Sequence, residues 1–82
     1  MQTIERNNLI FDLGFHKGED TEYYLSKGFQ VIAVEANTEL YLNGIERFQN
    51  DIFKNNLILI NRAIYGTDNA ILNFYINENI TA

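Results

Sequence analysis

The 82-residue chain contains no cysteine, no proline and no tryptophan, and it has a single histidine. Without cysteine there is neither a disulfide framework nor a thiolate metal site, and one histidine cannot supply a histidine-rich one, so we expect no bound metal. Basic residues are also few, 6 against 11 acidic residues, which gives a formal net charge of −5. Nucleic acids are therefore not expected partners, because binding their backbones requires clustered cations.

Long apolar runs and targeting signals are absent as well. No run approaches the roughly 18 residues that span a bilayer, and neither end shows the basic and then apolar pattern of a signal segment. We therefore expect a cytoplasmic protein without a membrane partner. A composition of 46% hydrophobic and 13% aromatic residues is typical of a globular chain, and its length allows one small domain at most.

What is present is an alternation of short apolar runs with helix-like segments. Continuous apolar runs predict three strands that are buried on both faces, at residues 9–13, 29–34 and 57–60. A first helix is predicted over residues 19–27, with acids at its start and Gly28 as its C-terminal cap.

A second helix is predicted after Asn37 or Thr38, either of which can cap it. Its apolar face repeats at helical spacing through Tyr41, Ile45, Phe48 and Ile52. Residues 62–76 alternate around a Gly/Asp/Asn cluster and predict a β-hairpin. The order β-α-β-α-β plus a hairpin predicts an α/β fold, with a parallel sheet that ends in an antiparallel ribbon.

Candidate chemistry lies in the turn after the first strand, Asp12-Leu13-Gly14-Phe15-His16-Lys17-Gly18. Gly14 allows a sharp turn and close approach of a ligand to the backbone, and Gly18 allows close packing of the helix start. Glu35 follows Gly14 by 21 positions (35 − 14) and ends the second strand. At about this distance α/β nucleoside-binding domains place an acid that binds ribose hydroxyls.

Each residue also has a simpler interpretation. Two glycines four positions apart can form only a tight turn, an acid after a strand can be a solvated loop residue, and a lone histidine can make a loop hydrogen bond. The strand, turn, helix, strand and acid in this order favour a nucleoside-type cofactor.

The turn lacks two glycine patterns that are typical of phosphate-bearing cofactors, and this restricts the choice of cofactor. The phosphate-binding pattern G-x-x-x-x-G-K-[ST] is absent, and His16 replaces the second glycine of the G-x-G-x-x-G pattern of NAD sites. Acids at positions 19, 20 and 22 would repel a pyrophosphate at the helix start. S-adenosylmethionine carries a sulfonium and an ammonium group and no phosphate, so it suits this turn better, and a NAD-type dehydrogenase domain is the least favoured alternative.

Residues 10–37, I-F-D-L-G-F-H-K-G-E-D-T-E-Y-Y-L-S-K-G-F-Q-V-I-A-V-E-A-N, resemble the N-terminal cofactor-binding segment of FkbM-type methyltransferases. D-L-G-F-H-K-G is similar to the family's first S-adenosylmethionine motif, and V-I-A-V-E-A-N to its second strand and ribose-binding acid. A weaker similarity continues through the segment N-R-A-I-Y-G-T-D-N-A-I-L-N-F-Y-I-N, so that residues 8–79 are covered.

The resemblance implies roles for individual residues. Gly14 and Gly18 would frame the methionine end of the cofactor, and Glu35 would bind the ribose diol, with Ala36 beside the adenine. Three further residues are implied to bind the cofactor. Asp12 would hold the turn or receive the ammonium through water, and the His16 side chain would order the loop or touch the cofactor. Thr21 would reach the cofactor or cap the helix. His16 stands where many relatives have asparagine, and Thr38 replaces a proline that is frequent after the acid.

The resemblance covers only the first half of a Rossmann-like seven-strand methyltransferase fold. We therefore expect residues 1–82 to form a single partial domain, which is the cofactor-binding half of an O-directed methyltransferase with a small-molecule methyl acceptor. No catalytic residue can be nominated, and this chain alone is expected to be inactive. The alternative is a non-catalytic α/β module that self-associates, or pairs with a partner, through an open sheet edge at residues 9–13.

Overall fold

The computed structural model describes residues 2–6 and 8–63, which form a four-stranded sheet flanked by helices. Along the chain the elements are β1 (Gln2–Arg6), β2 (Leu9–Leu13), α1 (Glu19–Ser26), β3 (Gln30–Glu35), α2 (Thr38–Arg47), α3 (Gln49–Phe53) and β4 (Leu57–Asn61). The strands lie in the order β1-β2-β3-β4. Strands β2, β3 and β4 are parallel, and β1 is antiparallel to β2. The predicted α/β class and its parallel strands are confirmed.

The three apolar runs form β2, β3 and β4. Side chains of β2 and β3 are buried on both faces of the sheet, whereas Ile58 and Ile60 of β4 are only partly buried on one face. Successive residues of a strand point to opposite faces, and two hydrophobic clusters result. The strand residues of the cluster that packs against the helices are Ile10, Val31, Ala33, Leu57 and Leu59. The strand residues buried in the other cluster are Phe11, Leu13, Ile32 and Val34. Burial on both faces explains why these runs are continuous rather than alternating.

The edge of residues 9–13 is not open, and the prediction that it is open is wrong. Strand β1 pairs along the whole of β2, from Gln2 opposite Leu13 to Arg6 opposite Leu9. Gln2–Arg6 has no apolar run, but pairing uses backbone N–H and C=O groups that nearly every residue carries. Self-association, or pairing with a partner, through this edge therefore loses its structural premise, whereas a non-catalytic role of the module stays a prediction.

The second predicted helix is divided in two at Phe48. The Phe48 ring is buried and packs edge-on against Phe15 with 5.7 Å between ring centroids, and its backbone leaves the helix between α2 and α3, with φ −105°. The apolar period continues across the break, because Phe48 and Ile52 both belong to the helix-side cluster. Periodicity alone could therefore not reveal the break.

Both predicted helix caps are confirmed. The Asn37 side chain accepts a hydrogen bond from the Leu40 N–H at 2.9 Å and so begins α2. Gly28 has φ +89°, and its N–H donates to the Leu25 carbonyl while the Phe29 N–H donates to the Tyr24 carbonyl. That pair of bonds is the Schellman motif. The predicted hairpin lies almost wholly outside the described residues.

Candidate functional site

The candidate site lies where the parallel strands end. Strand β2 ends at Leu13, β3 at Glu35 and β4 at Asn61, and Glu35 is the register partner of Asn61. The turn that begins at Gly14 and the loop that begins at Ala36 therefore leave the sheet side by side. Ligands of open α/β sheets bind at this carboxyl edge.

The turn after β2 is tied to β3 by its own backbone. The N–H groups of Gly14 and Phe15 both donate to the Val34 carbonyl, at 2.9 and 3.0 Å, and the Gly18 N–H donates to the Phe15 carbonyl at 2.9 Å. Gly14 has φ +109° and Gly18 has φ +84°, so both need the left-handed freedom of glycine. The predicted tight turn with glycines at its two ends is confirmed.

Phe15 fills the space beneath this turn, a position that no pattern in the sequence predicted. It is 3% exposed. A Cβ atom built on Gly18 or on Gly44 would lie 2.7 Å from its ring, which is far closer than van der Waals contact. The glycine in the middle of α2 is thus required by the phenylalanine of the turn.

Glu35 joins the turn to the loop after β3. Its Oε1 accepts the His16 N–H at 2.6 Å and its Oε2 accepts the Asn37 N–H at 2.8 Å. The residue is 5% exposed. A carboxylate offers about four lone-pair sites, so each oxygen keeps capacity for one more donor.

His16 contributes its backbone rather than its side chain. Its φ is +54°, in a region where histidine and asparagine are enriched among residues other than glycine. The residue is exposed, and its hydrogen bond to Glu35 uses the backbone N–H. The side chain of His16 was expected to order the loop or touch the cofactor, but the contact that orders the loop is made by its backbone N–H to Glu35, and the contact with a cofactor stays a prediction.

Asn61 supports the opposite side of Glu35 and was not among the predicted site residues. Its Nδ2 donates to the carbonyls of Glu35 at 2.8 Å and of Ala36 at 3.3 Å, and its Oδ1 accepts the Thr38 hydroxyl at 3.3 Å. Ala36 is exposed. The only signal for Asn61 was its position directly after an apolar run.

Asp12 and Thr21 form a buried pair under the start of α1. Both residues are fully buried, and the Thr21 hydroxyl donates to Asp12 Oδ2 at 2.8 Å. Asp12 Oδ1 is buried without a hydrogen-bond partner in the described part of the chain. Thr21 does not cap α1, whose N-cap is Gly18 without a side-chain bond. The two residues are therefore placed together and away from solvent.

Burial raises the pKa of Asp12 above its usual value of 3.8, and the negative charges of Asp20 and Glu35 act in the same direction. The hydrogen bond from Thr21 and the charge of His16 act in the opposite direction but do not outweigh burial. A raised folded-state pKa gives stability that is present below the unfolded pKa and is lost as the pH rises through the folded pKa. We expect the free energy of unfolding of the wild type to fall, relative to that of Asp12→Asn, as the pH rises above about 4, the usual pKa of aspartate. Urea titrations of both proteins at several pH values measure this difference, and a difference that is independent of pH contradicts the prediction.

A cavity of about 270 Å³ opens at the mouth of the turn, lined by Gly14, Phe15, His16, Lys17, Glu19 and Asp20. Glu19, Asp20 and Glu22 all lie in the first turn of α1, as predicted. Only Glu19 and Asp20 of these three line the cavity, and their carboxylates oppose an anionic ligand there and favour a cationic group. Lys17 is the one basic residue of the lining.

The residues that the structure describes were searched for metal-binding clusters and for membrane-spanning helices. Across residues 2–6 and 8–63, no cluster of three or more histidine, aspartate or glutamate side chains could hold a metal ion. In the same residues no helix has the length and apolar character needed to cross a membrane.

Comparisons with protein-family models, with curated proteins and with solved structures find no match to this chain.

Proposed function

We propose that this chain is the cofactor-binding segment of an S-adenosylmethionine-dependent methyltransferase of the FkbM type, which transfers a methyl group to oxygen of a small-molecule acceptor. The observation that carries the proposal is the position of the Glu35 carboxylate. It lies at the end of β3 and is bonded to the turn that leaves β2. This is the arrangement in which α/β domains bind the ribose of a nucleoside.

The bonding capacity of Glu35 supports a diol as its ligand. Each oxygen already accepts one backbone N–H, and the remaining lone pairs match the two hydroxyl donors of a ribose. Because Glu35 is 5% exposed whereas His16 and Ala36 are exposed, binding requires a small outward movement of the turn or of the loop after β3. The amide signals of His16 and Asn37 should report that movement.

The charge around the turn supports a sulfonium cofactor over a dinucleotide. Glu19 and Asp20 line the cavity at the turn, where they would repel a pyrophosphate and attract an ammonium or sulfonium group. Gly14, with positive φ, leaves the backbone open to close approach. We assign the methionine end of the cofactor to this cavity and the ribose to Glu35.

In this proposal the described elements are the first half of a Rossmann-like seven-strand fold. The succession β2-α1-β3-α2-α3-β4 supplies its first three parallel strands. Strand β1 departs from that scheme, because it occupies the edge of β2 where the fourth parallel strand of the complete fold would pair. The complete enzyme would have to move β1 aside or pair its next strand elsewhere.

Calorimetric titration of the full chain with S-adenosylmethionine and, separately, with NADH tests the proposal. We expect weak binding of S-adenosylmethionine, with a dissociation constant of about 1 mM, and no heat of binding with NADH. S-adenosylhomocysteine, which lacks the sulfonium charge, should bind more weakly than S-adenosylmethionine. The absence of heat with both S-adenosylmethionine and S-adenosylhomocysteine at millimolar concentration would refute the proposal, and the non-catalytic α/β module would then be the remaining hypothesis. Binding of NADH alone would support the dehydrogenase alternative.

A further inference from the structure

Arg47, at the end of α2, contacts the candidate turn from the side opposite to Glu35. Its Nη1 donates to the Lys17 carbonyl at 2.5 Å. Its Nη2 lies 3.0 Å from Glu22 Oε1, on the first turn of α1. The guanidinium carbon also lies over the Phe48 ring, 4.8 Å from its centroid. One side chain thus joins the turn, α1 and the aromatic cluster beneath both.

The two contacts to the turn act on neighbouring residues. Glu35 accepts the N–H of His16, and Arg47 donates to the carbonyl of Lys17. These residues are the two central positions of the turn that the bond from the Gly18 N–H to the Phe15 carbonyl closes. His16 has the unfavourable positive φ, a conformation that persists only where the surroundings fix it.

Arg47 lines a second cavity, of about 260 Å³, between the turn and α2, together with His16, Lys17 and Gly44. Phe15, His16 and Lys17 line both this cavity and the acid-lined cavity, so the turn borders both. A displacement of the Lys17 carbonyl toward or away from α2 changes the space that the first cavity offers to a ligand.

We infer that Arg47 is a positioning residue of the cofactor site, which sets the conformation of the turn without touching the cofactor. The effect on cofactor binding rests on the proposed function, whereas the effect on the conformation of the turn does not depend on it. The ion pair with Glu22 is exposed on both sides, at 44% and 64% of the side chains, and exposed pairs contribute little. The bond to the Lys17 carbonyl and the packing on Phe48 carry the effect.

Two variants separate these contacts. Arg47→Met removes the bond to the Lys17 carbonyl and keeps a long side chain over Phe48, whereas Glu22→Gln removes only the ion pair. The measured quantities are the dissociation constant for S-adenosylmethionine and the hydrogen-exchange protection of the Gly18 amide. The Val31 amide, which donates to the Asn56 carbonyl near the amino ends of β3 and β4, serves as the reference for global stability.

We expect Arg47→Met to weaken binding by about 5- to 10-fold, within the range of coupling between linked sites. Protection of Gly18 should fall by a similar factor while protection of Val31 stays unchanged, and Glu22→Gln should leave all three quantities within about twofold of the wild type. Unchanged binding and unchanged Gly18 protection in Arg47→Met would overturn the inference, as would an equal loss in Glu22→Gln.

If Arg47→Met lowers protection at Val31 as well, Arg47→Lys decides the question, because its ammonium keeps the charge but lacks the planar guanidinium that packs on Phe48 while it donates to the Lys17 carbonyl. Wild-type affinity and wild-type Gly18 protection in Arg47→Lys would overturn the inference, and a loss confined to Gly18 and to binding would support it. If the wild type itself does not bind S-adenosylmethionine, the proposed function fails, and Gly18 protection alone then decides whether Arg47 positions the turn.

Discussion

Gly18→Ala is expected to lower the free energy of unfolding by about 2–5 kcal/mol, which is a large fraction of the stability of a small domain. Two costs add. A residue with a Cβ in the left-handed region costs about 1–2 kcal/mol, and Gly18 has φ +84°. The new methyl would also lie 2.7 Å from the rings of both Phe15 and Phe48, and overpacking of this kind costs about 1–3 kcal/mol. Chemical unfolding in urea measures the sum.

Two other glycines separate the costs. Gly28 has φ +89° and no heavy atom within 4 Å of an added Cβ, so Gly28→Ala should show the backbone cost alone. Gly44 lies in α2, and an added Cβ would come within 2.7 Å of Phe15, so Gly44→Ala should show the steric cost reduced by about 1 kcal/mol of helix propensity. Equal stabilities of Gly18→Ala and Gly28→Ala would show that the aromatic rings do not limit this position.

Glu35→Gln is expected to cost about 2–3 kcal/mol and to weaken binding of S-adenosylmethionine by about tenfold or more. The amide oxygen of glutamine can accept one of the two backbone N–H groups, but its NH₂ group cannot accept the other. One N–H, of His16 or of Asn37, then loses its partner next to a residue that is 5% exposed. Urea unfolding measures the first effect and calorimetry the second.

Glu39→Gln is the matched control, since it removes the same charge from the exposed first turn of α2. Its effect on stability should stay below about 0.5 kcal/mol, and its effect on binding should be negligible. A loss of binding in both variants would mean that net charge, and not the Glu35 carboxylate, controls the ligand. A Glu35→Gln variant as stable as the wild type would show that the two backbone contacts contribute nothing.

The sequence predicted the parts of the fold that depend on local pattern. Three apolar runs identified β2, β3 and β4, because strands buried on both faces need apolar residues at every position. Asn37 and Gly28 marked helix ends, because an oxygen acceptor and a residue with positive φ are local requirements. Strand β1 escaped prediction, since Gln2–Arg6 is held in the sheet by backbone pairing that needs no special residue type.

For the site, the sequence identified the turn and the acid but not how they are connected. The partners of Glu35 are backbone N–H groups, which have no sequence signature. Arg47 and Asn61 reach the site across 30 and 25 or 26 positions of the chain, and only the packing of α2 and β4 brings them there. Asp12 was expected to hold the turn or to receive the ammonium through water, and its pairing with Thr21 places it under α1, where its effect on a ligand would be indirect.

The central proposal, that the turn after β2 and Glu35 together hold a ribose-bearing sulfonium cofactor, is tested most directly by following backbone amide signals during titration with S-adenosylmethionine. We predict the largest shifts at Gly14, His16 and Asn37, saturating at millimolar ligand, and their loss in Glu35→Gln but not in Glu39→Gln. Shifts absent from these three amides, or equally large in Glu35→Gln, would contradict the proposal.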